Sequence, residues 1–306
     1  VTKRLRSYTM KVVGKSGEEY TFAPPLTLQF DVCRTVQKSL NTANFRLYNI
    51  SPAAQRDIYK DDPESPDTQS QTKKMSVTLE ASYQSMTTTL GSIVFSGTIQ
   101  DACTYRSGGT VITEINALDG SDPAMRKIIS KVFGDASAGC LTKKVLEDLT
   151  GLLGDQGIKS AVVGSFTGGG TRRRSVFGPL WDVICDIAGP AAVPYIDSGR
   201  SYVLNYNDAF DVPGNIPAID GSVGLIGTPR KYFTRVDLQM VFEPRVTPGQ
   251  LLGVSSKFNE LIQNDYLSVQ KVRHSGTISG AVDGGAVTDL VCTISPYGAP
   301  NVVTPL

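Results

Sequence analysis

The side chains able to do chemistry in this 306-residue sequence fall into a few small groups, each of which can be weighed against what its chemistry requires. Gly14-Lys15-Ser16 ends like a phosphate-binding loop, which cradles phosphates with backbone N–H groups behind an earlier glycine. That glycine should stand at position 9, where the chain has Thr9, so the phrase reads as a β-turn. Asp62 and Glu64 are close enough for paired acid–base work, yet nothing around them would push their pKa values apart, and they read as a solvated loop. His274 is the single histidine, which excludes two-histidine zinc motifs, and its neighbour Ser275 would point to the opposite face of a strand. The five cysteines, Cys33, Cys103, Cys140, Cys185 and Cys292, are too far apart for a ligand pair and read as buried thiols in a reducing compartment. The segment Gly168-Gly169-Gly170-Thr171-Arg172-Arg173-Arg174 is the conspicuous basic one. Three arginines behind three glycines suit a loop that meets solvent or a partner, with contact to nucleic-acid phosphates as the alternative. No catalytic set, metal site or cofactor site emerges, so the chain is expected not to be an enzyme.

With 30 basic and 29 acidic side chains the net charge is +1, so partners must be recognised by shape rather than by bulk electrostatics. No apolar run reaches the roughly 20 residues of a membrane helix, and no leader pattern opens the chain, which suggests a soluble intracellular product without stable membrane insertion.

The elements that would position these residues are mostly strands. Residues 5–32 alternate around a turn at Gly14–Gly17, and Phe45 and Leu47 alternate with Arg46 and Tyr48 on a strand with both faces covered. Ser51 is a good N-cap with Pro52 behind it, opening a short helix. A polar loop over 61–74 precedes alternating strands at 75–81, 93–99 and 111–117, the last two joined at Ser107-Gly108-Gly109, and such short strands suggest a small barrel. The period then changes. Asp122 as N-cap, Pro123, and Met125, Ile128, Ile129, Val132 and Phe133 predict a helix. A second helix opens at Thr142 with a stripe through Leu153, a strand covers 158–163, a third helix covers 179–188, and residues 195–204 form a hairpin. After a Pro- and Gly-rich boundary at 208–221, strands return at 236–242, 266–272 and 287–294, and the last eleven residues read as an extended tail.

The chain also echoes itself. Ser96-Gly97-Thr98-Ile99 followed by Gly108-Gly109 is matched by Ser275-Gly276-Thr277-Ile278 followed by Gly284-Gly285. Either turn chemistry alone or two related antiparallel barrels, over 1–120 and 216–306, produces such an echo, and the second reading leaves 121–215 as an inserted α/β module. The fold class is then α+β, mostly β.

The strand-to-helix step Leu47-Tyr48-Asn49-Ile50-Ser51 resembles the opening of the baseplate hub proteins of contractile-tailed bacteriophages, the family of late-control proteins and secretion-system spike hubs. Hub-like phrases recur in order at 95–99, 116–120, 224–229, 243–249 and 272–278. The resemblance implies two small Tudor-like β-barrels per chain and a homotrimer whose six barrels form a ring. That ring would adapt a hexameric tail tube to a trimeric central spike, among other baseplate proteins, and leave a lumen for genomic DNA. It also implies a place in the virion tail baseplate, assembled in the host bacterial cytoplasm, with the C-terminal tail reaching the spike or a neighbouring subunit. Lytic modules on some relatives keep a cell-wall hydrolase as one alternative, and a β-rich carbohydrate- or nucleic-acid-binding protein is another.

Overall fold

The computed structural model describes residues 6–59, 75–83, 92–119, 127–134, 140–155, 158–164, 166, 169–170, 173–190, 192–205, 208–210, 224–254, 265–280, 284–294 and 301–303. The opening part holds β1 (Arg6–Val13), β2 (Glu19–Phe22), β3 (Leu28–Thr35), β4 (Thr42–Tyr48), α1 (Pro52–Ile58), β5 (Ser76–Tyr83), β6 (Ser92–Ser107) and β7 (Thr110–Leu118). The middle holds β8 (Ile128–Phe133), β9 (Cys140–Leu141), α2 (Thr142–Gly154), β10 (Lys159–Val163), β11 (Gly169–Gly170), β12 (Arg174–Pro179), α3 (Leu180–Ala188), β13 (Ala192–Asp197), β14 (Arg200–Asn205) and β15 (Asp208–Phe210). The closing part holds β16 (Leu225–Lys231), β17 (Arg235–Val241), β18 (Leu251–Val254), β19 (Asp265–Ile278), β20 (Ala286–Ile294) and β21 (Asn301–Val303).

Period-2 alternation builds the main sheet. Leu28, Phe30 and Val32 on β3, Phe45 and Leu47 on β4, and Ile115 and Ala117 on β7 point into one core, while the residues between them face outward. The outcome is one 12-stranded sheet in the order β16-β17-β20-β19-β3-β4-β7-β6-β5-β1-β2, with β18 paired to β19. No sheet among the described strands closes into a barrel, which corrects the expectation of two barrels. The physical reason is the seam between the halves: β3 pairs antiparallel with β19 from Leu28 opposite Ile278 to Thr35 opposite Lys271, so each half offers its edge to the other. Phe242, Ile278 and Ala286 from the closing part accordingly pack into the core of the opening part.

A repeat is nevertheless built into this sheet. The strands β3-β4-β7-β6-β5 are matched in order by β16-β17-β20-β19-β18. In each set a hairpin comes first, followed by a three-stranded meander whose last strand returns to the hairpin's second strand. The long strand of each meander bulges by one residue against the meander's last strand, at Gln100 in β6 and Gln270 in β19, and β6 has a further bulge at Val94 against β5. Aligned on Gln100 and Gln270, Thr104 and His274 occupy the same place. Each bonds the buried threonine directly across from it, Thr104 Oγ1 to Thr113 Oγ1 at 3.0 Å and His274 Nδ1 to Thr288 Oγ1 at 3.0 Å. The Ser-Gly-Thr-Ile phrases lie on equivalent strands but not at equivalent positions, the first before its bulge and the second beyond it.

The middle part has its own core of α2, α3 and the β10-β14-β13 sheet, centred on Leu146, Leu149, Leu180, Ile184 and Val203. The expected helices at 142–153 and 179–188 are present, as are the strand at 158–163 and the hairpin turning at Ser198-Gly199. The helix expected over Met125–Phe133 is instead strand β8, antiparallel to β12. Ile129 and Phe133 point inward, and residues four apart share a face under either period, so the pairing with β12 decides for strand. Asp122, Pro123 and Met125 lie outside the described residues, as do Asp62 and Glu64. Part of the expected free tail, Asn301–Val303, pairs parallel with β15 of its own chain, which satisfies backbone groups that a projecting tail would leave to a partner. Among the described residues no helix is long and apolar enough to cross a membrane.

Candidate functional site

Two features stand out where the parts of the fold meet: a polar groove across the outer face of the sheet, and a buried ionic junction beneath the middle part. The groove, about 580 Å³, runs over β19, β3, β4, β7 and β6 and is lined by Asp31, Asn44, Asp101, Asn116, Lys271 and Arg273 among others. Antiparallel register aligns Ser275, Asp31, Asn44, Asn116 and Asp101 in one row across five strands. Asn44, Asn116 and Asp101 are joined along it by side-chain hydrogen bonds. Asn44 Nδ2 donates to Asn116 Oδ1 at 2.5 Å and to Glu114 Oε1 at 3.0 Å, and Asn116 Nδ2 donates to Asp101 Oδ1 at 2.7 Å. Arg273 grips Asp31 with two bonds, Nε to Oδ1 at 2.8 Å and Nη2 to Oδ2 at 2.6 Å, and that contact holds the Asp31 carboxyl below its ordinary range. The Asn44 bond, with help from Arg46, does the same for Glu114. Such a face offers many polar contacts of both signs and no concentrated charge.

The junction lies where β3 ends. Arg34 occupies an inward position in line with Leu28, Phe30 and Val32, and only 1% of it is exposed. A guanidinium there requires a buried partner. Asp197, from the end of β13, supplies it: Nε donates to Oδ1 at 2.7 Å and Nη2 to Oδ2 in a closer contact. Asn41 Nδ2 adds bonds to the Ile196 carbonyl at 3.0 Å and to Asp197 Oδ1 at 3.2 Å. Asp119, just past β7, accepts from the backbone N–H groups of Ser198 and Gly199 in the turn of the β13–β14 hairpin. Burial, then the neighbouring Asp197 carboxylate, pushes the Asp119 pKa up to about 7. Tyr195 stacks on Tyr202 at 4.8 Å between ring centres and donates to the Pro248 carbonyl at 3.0 Å, tying the same hairpin to the closing half. One hairpin of the middle part is thus bolted to both halves of the sheet.

The residues singled out by chemistry are placed as follows. Lys15 N donates to the Asp57 backbone carbonyl at the end of α1, and Ser16 N and Oγ donate to its carboxylate at 2.9 and 2.6 Å, so the donors of the Gly14–Ser16 turn are taken up by an internal residue. His274 is fully buried against Phe242, and desolvation lowers its pKa to about 3, so it stays neutral and out of reach of substrate. Cys185 and Cys292 are buried as expected, Cys33 lies half-buried in the groove, and Cys103 is exposed because its strand position faces outward. Arg173 and Arg174 are exposed at the start of β12 and do not line the groove, while Arg172 lies outside the described residues. Sequence reasoning missed Arg34, Asn41, Asp119 and Asp197. The available signal was Arg34 itself, a charge standing at a core position of an alternating strand.

Comparison with known families matches residues 8–275 to the model described as baseplate hub gp41. No curated protein matches the chain. Among solved structures, a tail protein from Neisseria meningitidis MC58 superposes with a TM-score of 0.54 at 10% identity, covering 95% of this chain and 98% of that one. The 43 kDa tail protein of prophage MuSo2 from Shewanella oneidensis gives 0.53 at 9% identity, over 97% and 99% of the two chains. The c3393 protein of E. coli, a type VI secretion component similar in structure to the T4 tail proteins gp27 and gp5, gives 0.51 at 10% identity over 90% of this chain and 76% of that one. At these identities the likeness is one of fold.

Proposed function

The chain belongs to the baseplate hub gp41 family, and from that premise we propose that three copies form a ring presenting six near-equivalent five-stranded surfaces. The ring adapts a hexameric tail tube to a trimeric spike and leaves a lumen through which DNA passes. The observation that supports this reading is the repeated five-stranded order with its matching bulges at Gln100 and Gln270 and a matching cross-strand bond to a buried threonine in each set. A threefold assembly can meet a sixfold tube only if each chain offers two similar surfaces. The role is structural rather than catalytic: His274 serves the same cross-strand bond as Thr104 and has no access to a substrate. The ring sits in the virion tail baseplate and is assembled in the host cytoplasm. The polar groove, balanced in sign, suits a surface that DNA slides past without sticking.

Native mass spectrometry of the full chain, alone and with its tube subunits, tests the reading. The expected species has three times the mass of the 32.8 kDa chain and takes up tube protein in multiples of six. A chain that stays monomeric in the presence of tube subunits contradicts it.

A further inference from the structure

The repeat uses one strand edge in its closing set and leaves the matching edge of its opening set uncovered. Beyond the bulge at Gln270, β19 pairs with β20 on one side and, over residues 271–278, with β3 on the other. Beyond the bulge at Gln100, β6 pairs with β7 alone, because β5 takes only residues 92–98. No strand among the described residues lies along the outer edge of residues 101–107, and Cys103, Tyr105, Arg106 and Ser107 are exposed. Ser107 and Thr110 close the two-residue turn at Gly108-Gly109, so the backbone N–H and C=O groups of Thr104 and Arg106 point away from β7. Such a row is a template for another strand.

The repeat also says which strand fits. The counterpart of β3 is β16, the last strand of the sheet order. Leu47 faces Thr113 and Met240 faces Thr288, and counting back along each hairpin from that match equates Asp31 with Arg230 and Cys33 with Tyr232. A bulge between Ile226 and Arg230 is the one departure of β16 from the β3 pattern. We infer that β16 of one copy adds antiparallel to the outer edge of β6 in the next copy, in the register that β3 and β19 show within the chain. Arg230 then faces Tyr105 as Asp31 faces Ser275, and Tyr232 faces Cys103 as Cys33 faces Arg273. Tyr105, Ile226 and Tyr232, now 41%, 39% and 54% exposed, come together on one face of the joined sheet. The contact is heterologous: each copy gives β16 to one neighbour and receives the other neighbour's on β6, so that the contacts can close into a ring.

This interface rests on the ring proposed above, and the test separates the two. Tyr105→Cys and Arg230→Cys are combined in the full chain carrying Cys103→Ser, assembled with tube subunits, oxidised with copper phenanthroline and run on a non-reducing denaturing gel. Directly opposed strand residues lie about 5 Å apart between Cα atoms, within disulfide reach. The expected product is a covalent trimer, with each single variant running as a monomer. Arg106→Pro removes an outward-facing N–H and is expected to keep the urea midpoint of the native chain while losing the trimer in native mass spectrometry. A trimer by native mass spectrometry that gives no crosslink between copies, or one that survives Arg106→Pro, overturns the inference and leaves the hub reading intact. A covalent ladder running past three copies supports the strand pairing and overturns the copy number of the ring. A chain that stays monomeric with tube subunits overturns the hub reading, and this inference with it.

Discussion

Arg34 shows at the scale of one residue how the parts of this fold are held. Its guanidinium is buried because the β13–β14 hairpin brings Asp197 to it, and removing it strands two carboxylates in the interior. Arg34→Met is therefore expected to cost about 3–5 kcal/mol in urea denaturation, and adding Asp197→Leu to recover much of that loss. An unchanged midpoint for the single variant would contradict this account of the junction. Asp119 gives the pH arm. Its folded-state pKa is raised to about 7, so its contribution is complete below the ordinary carboxylate range and is lost as pH rises toward neutrality. His274 runs the other way, its pKa lowered to about 3, contributing above its ordinary range and losing that contribution as pH falls. Asp119→Asn removes the first effect alone. Between about pH 4 and pH 7.5 the urea midpoint of the variant should gain on that of the native chain, and parallel curves would show that Asp119 is not buried as described.

The scale of the element is where residues 14–16 and 51–58 are decided. Ser51 caps α1 by accepting from Ala54 N at 3.3 Å, and Ser51→Ala should cost about 1 kcal/mol in the same denaturation assay. Gly14 lies so close to the Asp57 carboxylate that a methyl group would overlap it, so Gly14→Ala should cost about 1–3 kcal/mol and release α1 from the turn. Protease sensitivity at α1 would report the release, and an unaltered digestion pattern would count against it. The capped helix, the alternating strands and the hairpin turns were legible because each is written in neighbouring residues. The Gly-Lys-Ser turn was legible as a turn, but its partner Asp57 was not, since that contact depends on tertiary packing. Ile128–Phe133 misled because inward residues four apart fit a helix as well as a strand, and only pairing with β12 settles the matter. The Arg34 junction was out of reach for the same reason, its partners standing far along the chain.

For the whole molecule, duplication was legible only obliquely. The echoing Ser-Gly-Thr-Ile phrases pointed to the right pair of strands, β6 and β19, while the structural correspondence runs through the Gln100 and Gln270 bulges and the Thr113 and Thr288 positions. Closed barrels were the wrong expectation because β3 and β19 join edges across the halves. That seam joins the two repeated surfaces into one sheet, and the proposed adaptor needs them held together. Breaking the seam with proline at Asp31 or Ser275, which face each other across it, should leave the chain unable to assemble, seen as loss of the proposed trimer in native mass spectrometry. The most direct measurement is a cryo-EM map of the intact tail at the junction of tube and spike. Three copies of this chain around the axis, with β16-β17-β20-β19-β18 and β3-β4-β7-β6-β5 meeting successive tube subunits alike, is the predicted result. A ring of any other copy number, or one in which only one of the two five-stranded sets touches the tube, would contradict it.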